Sequence, residues 1–595
     1  MKFTADFETT TDENDCRVWA WGVCEIGNPE NFQCGNTIEG FFDFLKNSNN
    51  AVFYFHNLKF DGEFLMVYLF EHGFKHVTSR ADEDTKTFNT LISDSGQFYS
   101  IKIVFNKKGK KTHYVQIYDS LKILPFSVEQ IAKGFNLPIS KLSIDYSKFR
   151  EYGHELEPTE IDYLRNDVDI VARALHTLFE QGLTKITQGS NALHDYKQTV
   201  GQKSFDRWFP VPDYDKDVRQ SYKGGFTYLN PKYKSVDVGE GLVLDVNSLY
   251  PSVMHDCPLP YGNGVYFEGE YKHDSLYFLY VQMFTCQFEL KDGYIPTIQL
   301  KNNLSFVPTQ YLSSSGDEFV TLCLTSVDMK LFFEHYNVYN IVYHSGWKFK
   351  GTTGLFTEYI DKWTRVKIDS TKNGNKAMRT LAKLMLNALY GKFALNPIVQ
   401  SKVPYYDDGV IKYSKGEKES RSPIYIPVGT FITAWARHKT ITSAQKVYPM
   451  FIYADTDSLH LDLKLPPELS KLTNDELEQL TTADLQKFGV PLPDDFEIDP
   501  FSLGAWKIES RFTRARFLRQ KSYIEDWNSP DTWDTPELYD KNLLNITCAG
   551  MPQSCYEWVT WDNFFEGASY GGKLQPKHVK GGIVLKEIDF TIKRG

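Results

Sequence analysis

The sequence predicts a multidomain protein of mixed α/β and α+β class. Three observations carry that prediction. The chain has 595 residues, room for roughly three to five compact units at about 100–200 residues each. Hydrophobic residues make up 42%, charged residues 24% and aromatics 15%, the balance of a folded chain and not of a disordered one. Short strand-like and helix-like segments alternate over residues 1–185, a mixture that suggests an α/β domain.

The elements follow in order. Residues 3–7, 51–55 and 114–117 read as strands, and 158–181 as a helix with Thr159 as its cap. A linker then runs to the turn-like Tyr222-Lys223-Gly224-Gly225. Gly241-Leu-Val-Leu-Asp-Val has the pattern of a buried strand, and residues 256–352 mix short strands with Gly, Pro and Ser. A long helical pattern spans 376–393. Pro397, Pro404, Pro423 and Pro427 mark 395–429 as an irregular or hairpin insert. A helix over 431–447 leads into a strand at 450–453. Residues 549–595 are uninformative by themselves. There is no internal repeat.

Lys and Arg total 66 against 76 Asp and Glu, a formal net charge of −10. A uniformly basic coat is excluded, but nucleic-acid binding needs only a local track. Two such tracks exist. Residues 361–392 hold eight basic side chains and two acids, and 507–521 hold six basic side chains and one acid, Glu509. Both are candidate surfaces for a nucleic-acid backbone, whose binding would depend strongly on salt. Residues 464–500 carry nine acids and three lysines and read as a solvated appendage, with a helix capped at Thr473 and a capping box closed by Glu476. No apolar run reaches the ~18 residues of a membrane span. The opening MKFTADFETT has acids where a signal peptide needs an apolar stretch. The eight cysteines form no CxxC pair, which suits a reduced, cytoplasmic chain.

Two sets of carboxylates stand out. Asp6 and Glu8 alternate along a strand, so both face one side. Asp61 closes the segment HNLKFDG, and Tyr163 and Asp167 lie one helical turn apart. Alone, each acid reads as a surface residue. Together they are a set of hard oxygen donors suited to Mg²⁺ or Mn²⁺, and Asp169 beside them reads as a bystander. The second set is Asp245 in DVNSLYP with Asp455 and Asp457 in YADTDS, a tight hairpin between apolar strands. Both sets suit two-metal phosphoryl transfer. Between the two motifs of the second set, Arg379, Lys383, Asn387 and Tyr390 form one helical stripe. Leu381, Leu384, Met385, Ala388 and Leu389 form the opposite, core face. Cations and an aromatic on one stripe suit a nucleoside triphosphate.

DFETT, HNLKFDG and YLRND resemble the three motifs of DEDDy-type proofreading exonucleases. DVNSLYP, KLMLNALYG and YADTDS resemble the polymerase motifs of family B DNA polymerases, and the resemblance runs essentially end to end. It is strongest to the protein-primed branch from small Bacillus-type bacteriophages. The resemblance implies a ribonuclease H-like 3′–5′ exonuclease domain at 1–185. A right-hand polymerase follows: palm at 186–255 and 430–548, fingers at 356–394 and thumb at 549–595. It implies two inserts, one contacting a terminal-protein primer at 256–355 and one for strand displacement and processivity at 395–429. Asp6, Glu8, Asp61 and Asp167 would hold metal, Tyr163 would orient the attacking water and Lys141 would assist. Thr9, Tyr54, Phe55, His56, Asn57, Phe60, Ser120 and Leu121 would bind the single-stranded 3′ end.

In the polymerase half, Asp245, the Val246 backbone and Asp457 would bind metal, with Asp455 in support. Tyr250 would be the steric gate against a 2′-OH. Lys367, Arg379 and Lys383 would hold the triphosphate. Tyr222, Gly224 and Gly225 match the YxGG linker between the two sites. Thr433 and Arg437, in FITAWAR, would contact primer-template, and Lys521 and Tyr523, in KSY, would grip the primer end. The implied partners are primer-template and single-stranded DNA, deoxynucleoside triphosphates and a terminal protein. Two Mg²⁺ or Mn²⁺ ions are implied per site, and the chain would act as a monomer in the cytoplasm of an infected bacterium. Two rival readings are an RNA-primed family B enzyme, opposed by the compact length and the two inserts, and a non-catalytic DNA-binding relic, opposed by the survival of all the carboxylates. Arg379 stands where relatives can carry Lys, and the 464–500 segment is longer than the family's usual connection. That segment is expected to be a loop without catalytic function.

Overall fold

The computed structural model describes every residue except 147, 300–310, 494 and 595, and only the backbone of residue 470. Parts of the 256–355 and 464–500 expectations therefore lie outside the described residues.

The N-terminal unit is built on eight strands: β1 Lys2–Thr9, β2 Val18–Glu25, β3 Asn28–Gly35, β4 Val52–Phe55, β5 Lys75–His76, β6 Thr87–Ile92, β7 Phe98–Lys108 and β8 Lys111–Asp119. Their order is β3-β2-β1-β4-β8-β7-β6-β5, and β4 lies parallel to both neighbours at the centre. Helices α1 Ile38–Asn47 and α2 Leu58–Glu71 cover one face, and α3 Val128–Gly134 precedes α4 Pro158–Glu180, which crosses the other. Alternation along β1 explains its burial on both sides. Phe3, Ala5 and Phe7 enter the aromatic core, while Thr4 turns the opposite way and donates to Val168 O of α4 at 2.8 Å. The cap of α4 is Glu157, with Glu160 completing a capping box. Thr159 therefore lies inside the helix: Pro158, which has no N–H to leave unpaired, takes the first helical position.

The expected linker after residue 185 is largely helical: α5 Gln188–Val200, α6 Gln202–Trp208 and α7 Asp215–Val218. Then come β9 Thr227–Leu229, β10 Asp237–Val238, β11 Gly241–Val246 and α8 Leu249–Asp256. Residues 259–352 supply β12 Leu259–Glu268, β13 Leu279–Leu290, β14 Ile298–Gln299, β15 Tyr311–Leu312, β16 Val320–Thr325, α9 Ser326–His335 and β17 Tyr336–Thr352. Of these, β12-β17-β13-β16 form one antiparallel sheet. A helical pair, α10 Thr357–Lys372 and α11 Lys376–Ala388, is followed by α12 Tyr390–Phe393. The proline-marked insert is a hairpin, β18 Ile398–Asp407 and β19 Val410–Ser420.

Next are α13 Ile426–Lys446, β20 Phe451–Asp455 and β21 Ser458–Asp462, then α14 Asn474–Leu477 and α15 Thr482–Phe488. The strands β22 Trp506–Phe512, β23 Arg514–Arg519, β24 Ser522–Asp526 and β25 Leu544–Cys548 precede the C-terminal hairpin, β26 Ser569–Val579 and β27 Gly582–Thr591. The central sheet has the order β22-β11-β21-β20-β9, and β10-β23-β24-β25 form a second sheet.

One apolar core runs through both halves of the chain. It joins Ile170 and Leu175 of α4 to Tyr196 of α5, Phe356, Leu381 of α11 and Phe431 of α13. The acidic segment belongs to it too. Leu469, Leu477, Leu485, Phe496 and Ile498 are buried there, so that segment is a packed element with an acidic outer surface and not a solvated loop. The insert hairpin leans on the N-terminal unit. Tyr406 donates to Glu71 at 2.6 Å and Tyr413 to Glu63 at 2.5 Å. At its tip, Gly409 O accepts from Gly581 N of the C-terminal hairpin at 3.1 Å.

Candidate active sites

In the N-terminal unit, β1 delivers Asp6 and Glu8 to the α4 side of the sheet. Its parallel neighbour β4 ends at Phe55, and two residues on Asn57 takes a left-handed conformation (φ 71°) that turns the chain into α2. Asp61 sits in the first turn of that helix and Tyr163 and Asp167 on α4. Burial first, then repulsion from Asp167, pushes the Asp6 carboxyl up to about 7. Burial and repulsion from Asp6 likewise raise Glu8 and Asp61. The opposing cation is Lys141, whose Nζ lies 2.9 Å from Asp167 Oδ2. Burial pulls Lys141 down, but the attraction and hydrogen bond of Asp167 together with the charge of Asp6 leave the ammonium above its ordinary value. Tyr163 stays a neutral phenol because burial and the charges of Glu8 and Asp167 oppose its ionisation. Its hydroxyl lies 2.9 Å from that of Tyr146, a member of the site that the sequence did not single out. Asp169 pairs with Arg173 at 2.9 Å, the bystander expected.

Two of the residues expected to bind single strands are structural. Phe55 is fully buried against Phe7 and Phe41. Ser120 is also buried; it donates to Phe55 O at 2.9 Å and lies 3.0 Å from His56 Nδ1. An aromatic at a strand end reads the same in sequence whether it stacks on a base or fills a core. Tyr54 and His56 line a small cavity with Asp6, Lys141 and Asp167. Thr9, Asn57, Phe60 and Leu121 keep exposed surface around it. Asp119 organises this rim, with Oδ1 accepting from Asn57 N and Leu121 N at 3.0 Å each.

The second site forms on the central sheet. Asp245 of β11 pairs directly with Ser458 of β21, next to the β20–β21 turn that carries Asp457. Thr456 takes φ 62° to make that turn tight, and Val246 N donates to Asp457 O at 2.8 Å. Burial and repulsion from Asp457 and Glu509 push Asp245 up to about 7. Asp457 is raised by burial above all. Asp455 is already engaged: Thr227 donates at 3.1 Å, Tyr453 at 3.3 Å, and Lys521 Nζ lies at 3.3 Å. Asp455 therefore supports the turn. Tyr523 stacks on Phe517 at 5.1 Å. Glu509 is a carboxylate that sequence reasoning missed. It alternates with Lys507 along β22, two positions apart on the face that Asp245 shares, and that spacing was the available signal.

Three members of the expected stripe lie on α11, and the fourth, Tyr390, begins α12 beyond a break in the expected single helix. Arg379, Lys383 and Asn387 are exposed, while Leu381, Met385 and Leu389 are buried. Lys367 approaches from α10, close enough that Lys383 and Arg379 each lower it after burial does. Tyr250 and Tyr390 stack with centroids 4.0 Å apart and planes at 15°, forming a flat aromatic wall beside the carboxylates. Tyr222-Lys223-Gly224-Gly225 passes under the turn that carries Asp457. A Cβ on Gly225 would lie 2.5 Å from Thr456 Oγ1, and Phe226 O accepts from Thr456 N at 2.7 Å. The position therefore requires glycine.

Thr433 and Arg437 are corrected. Thr433 is buried and donates within its own helix. Arg437 is 4% exposed, forks onto Asp328 at 2.8 Å and donates to the carbonyls of Lys223 and Gly224 at 2.9 and 2.8 Å. Both lie on the buried side of α13, so these residues brace the linker from beneath and offer no surface to DNA. The 507–521 track is also largely spent inside the protein. Arg514 pairs with Asp526 at 2.8 Å between the rings of Trp533 and Trp561. Arg516 pairs with Asp237 at 2.5 Å, and Arg519 is buried.

Among the described residues, no three His, Cys, Asp or Glu side chains are already set to hold a metal ion. The chemistry of the donors still fits one. Each site gathers hard oxygen donors whose mutual repulsion is only partly answered by lysines, and Asp167 Oδ1 is buried without a hydrogen-bond partner. A divalent cation answers both features.

A family model described as DNA polymerase type B, organellar and viral, matches residues 44–472. The DNA polymerases of Bacillus phage M2 and Bacillus phage phi29 are 47% and 45% identical to this chain, over 99% of each sequence. That of Streptococcus phage Cp-1 is 32% identical over 99% of this chain and 98% of its own. Phi29 DNA polymerase solved with primer-template DNA and incoming nucleotides superposes with a TM-score of 0.87 at 44% identity, covering 100% of both chains.

Proposed function

Because the chain belongs to the type B DNA polymerases of organelles and viruses, we propose that it is a protein-primed replicase that displaces strands and proofreads its own product. The observation that carries this reading is the central sheet. Antiparallel pairing sets Asp245 beside the turn bearing Asp457, and the cations Lys367, Arg379 and Lys383 gather beside them. The cofactor would be two Mg²⁺ or Mn²⁺ ions per site, held by Asp245, the Val246 backbone and Asp457 in one and by Asp6, Glu8, Asp61 and Asp167 in the other. Bound there, such ions stabilise the attacking and leaving oxygens of a phosphoryl transfer.

The chain's own residues do the rest. A primer 3′-OH, or a hydroxyl of a terminal protein, forms a bond to the α-phosphorus of a deoxynucleotide as the bond to pyrophosphate breaks. Lys367, Arg379 and Lys383 neutralise the triphosphate and hold it in line. The Tyr250–Tyr390 wall supports base and sugar, and Tyr250 leaves no space for a 2′-OH. At the N-terminal site the neutral phenol of Tyr163 orients water toward the terminal phosphodiester, and Lys141 offsets the negative charge that develops. The sheet of residues 259–352 would receive the terminal protein, and the enzyme would work in the cytoplasm of an infected bacterium. Among the described residues no helix is long and apolar enough to cross a membrane.

Primer extension on a singly primed single-stranded circle tests the reading, with Mg²⁺, all four deoxynucleotides and neither helicase nor clamp. Products longer than the circle are expected. Synthesis that stops after one lap would remove strand displacement from the proposal.

A further inference from the structure

The acidic segment touches the polymerase site through one side chain. Helix α14 is fixed by the Thr473–Glu476 capping box and by buried Leu477. The next residue, Glu478, lies with Oε2 3.7 Å from Lys507 Nζ. Lys507 in turn pairs in register with Asp245 across β22 and β11. It sits on the open face of β22, between Trp506 and Ile508, which point into the core. Its charge reaches Asp245, Lys367 and Lys383, and that of Glu478 reaches Asp245 and Lys383. Lys507 and Glu478 are both partly accessible, with side chains 23% and 40% exposed, so ligand and water can enter between them.

The order of strands gives this pair a direction. Across the sheet, Lys521 and Asp455 lie on the β20 side of Asp457, and Lys507 lies on the far side of Asp245. With a nucleotide's α-phosphate between Asp245 and Asp457 and the primer on the Lys521 side, the β- and γ-phosphates run toward Lys507. We propose that Lys507 is a fourth cation of the triphosphate site and that Glu478 is its displaceable counter-anion. The acidic segment then sets the affinity for incoming nucleotide and for departing pyrophosphate. The inference rests on the polymerase reading above and deepens it. Without nucleotide, Glu478 offsets part of the repulsion among Lys507, Lys383 and Lys367. With nucleotide, the phosphates take its place, and it competes again as pyrophosphate leaves.

Single-nucleotide incorporation by the full-length protein, with pyrophosphate as a product inhibitor, tests this. Glu478→Gln should lower the KM for deoxynucleotide about three- to tenfold and strengthen pyrophosphate inhibition to match, the scale of removing one half-exposed competing charge. Lys507→Ala should raise KM about tenfold, and Lys507→Arg should restore most of the loss. In the Lys507→Ala background, Glu478→Gln should do nothing further. Degradation of single-stranded DNA at the other site, unchanged in every variant, shows that each one folds. An unaltered KM and pyrophosphate inhibition in Glu478→Gln would overturn the proposal. So would a Glu478→Gln effect that persists undiminished without Lys507. An inactive parent enzyme would instead count against the polymerase reading itself.

Discussion

The two carboxylate clusters differ most in where their opposing charge lies. In the N-terminal site a single ammonium, Lys141, already sits inside the cluster on Asp167, and Glu8, Asp61 and Asp167 are each no more than 5% exposed. In the central site Asp245 and Asp457 are half-buried, and the cations stand around them on three different elements, α10, α11 and β22. The first arrangement suits a small reaction zone, where water attacks a strand end. The second leaves a gap between the carboxylates and the cations that a polyanion can fill. On the proposed reading, one donor chemistry would serve two reactions because the positive charge is placed differently.

That contrast can be broken most sharply by removing one carboxylate at a time. Asp457→Ala should lower synthesis by at least about a thousandfold and leave single-strand degradation intact, and Asp167→Ala should do the reverse. Loss of both activities in a folded variant would mean that the sites are not separate. Tyr250→Val should raise ribonucleotide incorporation by roughly 10–100-fold, measured as the ratio of kcat/KM values for the two sugars, without altering degradation.

Arg437→Ala should cost about 3–5 kcal/mol, because Asp328 is left as an uncompensated, largely buried charge. Denaturant unfolding measures it, and Arg437→Met with Asp328→Leu together should recover much of the loss. Acid–base behaviour sharpens the comparison further. Asp6 and Asp245 both have carboxyls raised from 3.8 to about 7. In the metal-free protein each keeps its proton in the folded state where the unfolded chain has lost it. The stability these two groups contribute is therefore fully present below about pH 4 and is lost as pH rises toward 7, at most about 4 kcal/mol for each. Asp6→Asn in chelator should flatten part of that slope and raise stability at pH 8. An unchanged slope would show that the charges are relieved by other means. The smallest effect is expected from Gly225→Ala. It should displace Thr456 and slow synthesis severalfold, with degradation as the internal control.

Much of both sites was legible in the sequence, because strand and helix periods translate directly into faces. Asp6 with Glu8, Tyr163 with Asp167, and Arg379 with Lys383 and Asn387 needed only those periods. The failures share a physical reason: a side chain's chemistry does not state whether a partner lies inside the protein. Arg437, Arg514 and Arg516 read as cations for DNA until Asp328, Asp526 and Asp237 were found opposite them. Phe55 reads as a stacking ring until Phe41 and Phe7 enclose it. The segment after residue 185 hides its helices because α5 buries few side chains, Asn191, Ala192 and Tyr196, too few to show an apolar stripe. The acidic segment misled in the opposite sense. Its charges lie on the outside and its leucines, spaced irregularly through short helices, fill the core.

The apolar core that joins α4 to α5, α11 and α13 bears on how such an enzyme corrects a mistake. Two reaction centres welded through one continuous packing cannot swing toward each other without exposing Ile170, Leu175, Tyr196 and Leu381 to water, and joints of that kind stay shut. Thr380 Oγ1 donating to Gly134 O at 3.0 Å and Gln188 Nε2 donating to Leu384 O at 2.8 Å fasten the same seam. The span between making and erasing is therefore a fixed length built into the protein. A mismatched end would have to leave its template and cover that distance itself, with no closing of the protein to shorten it.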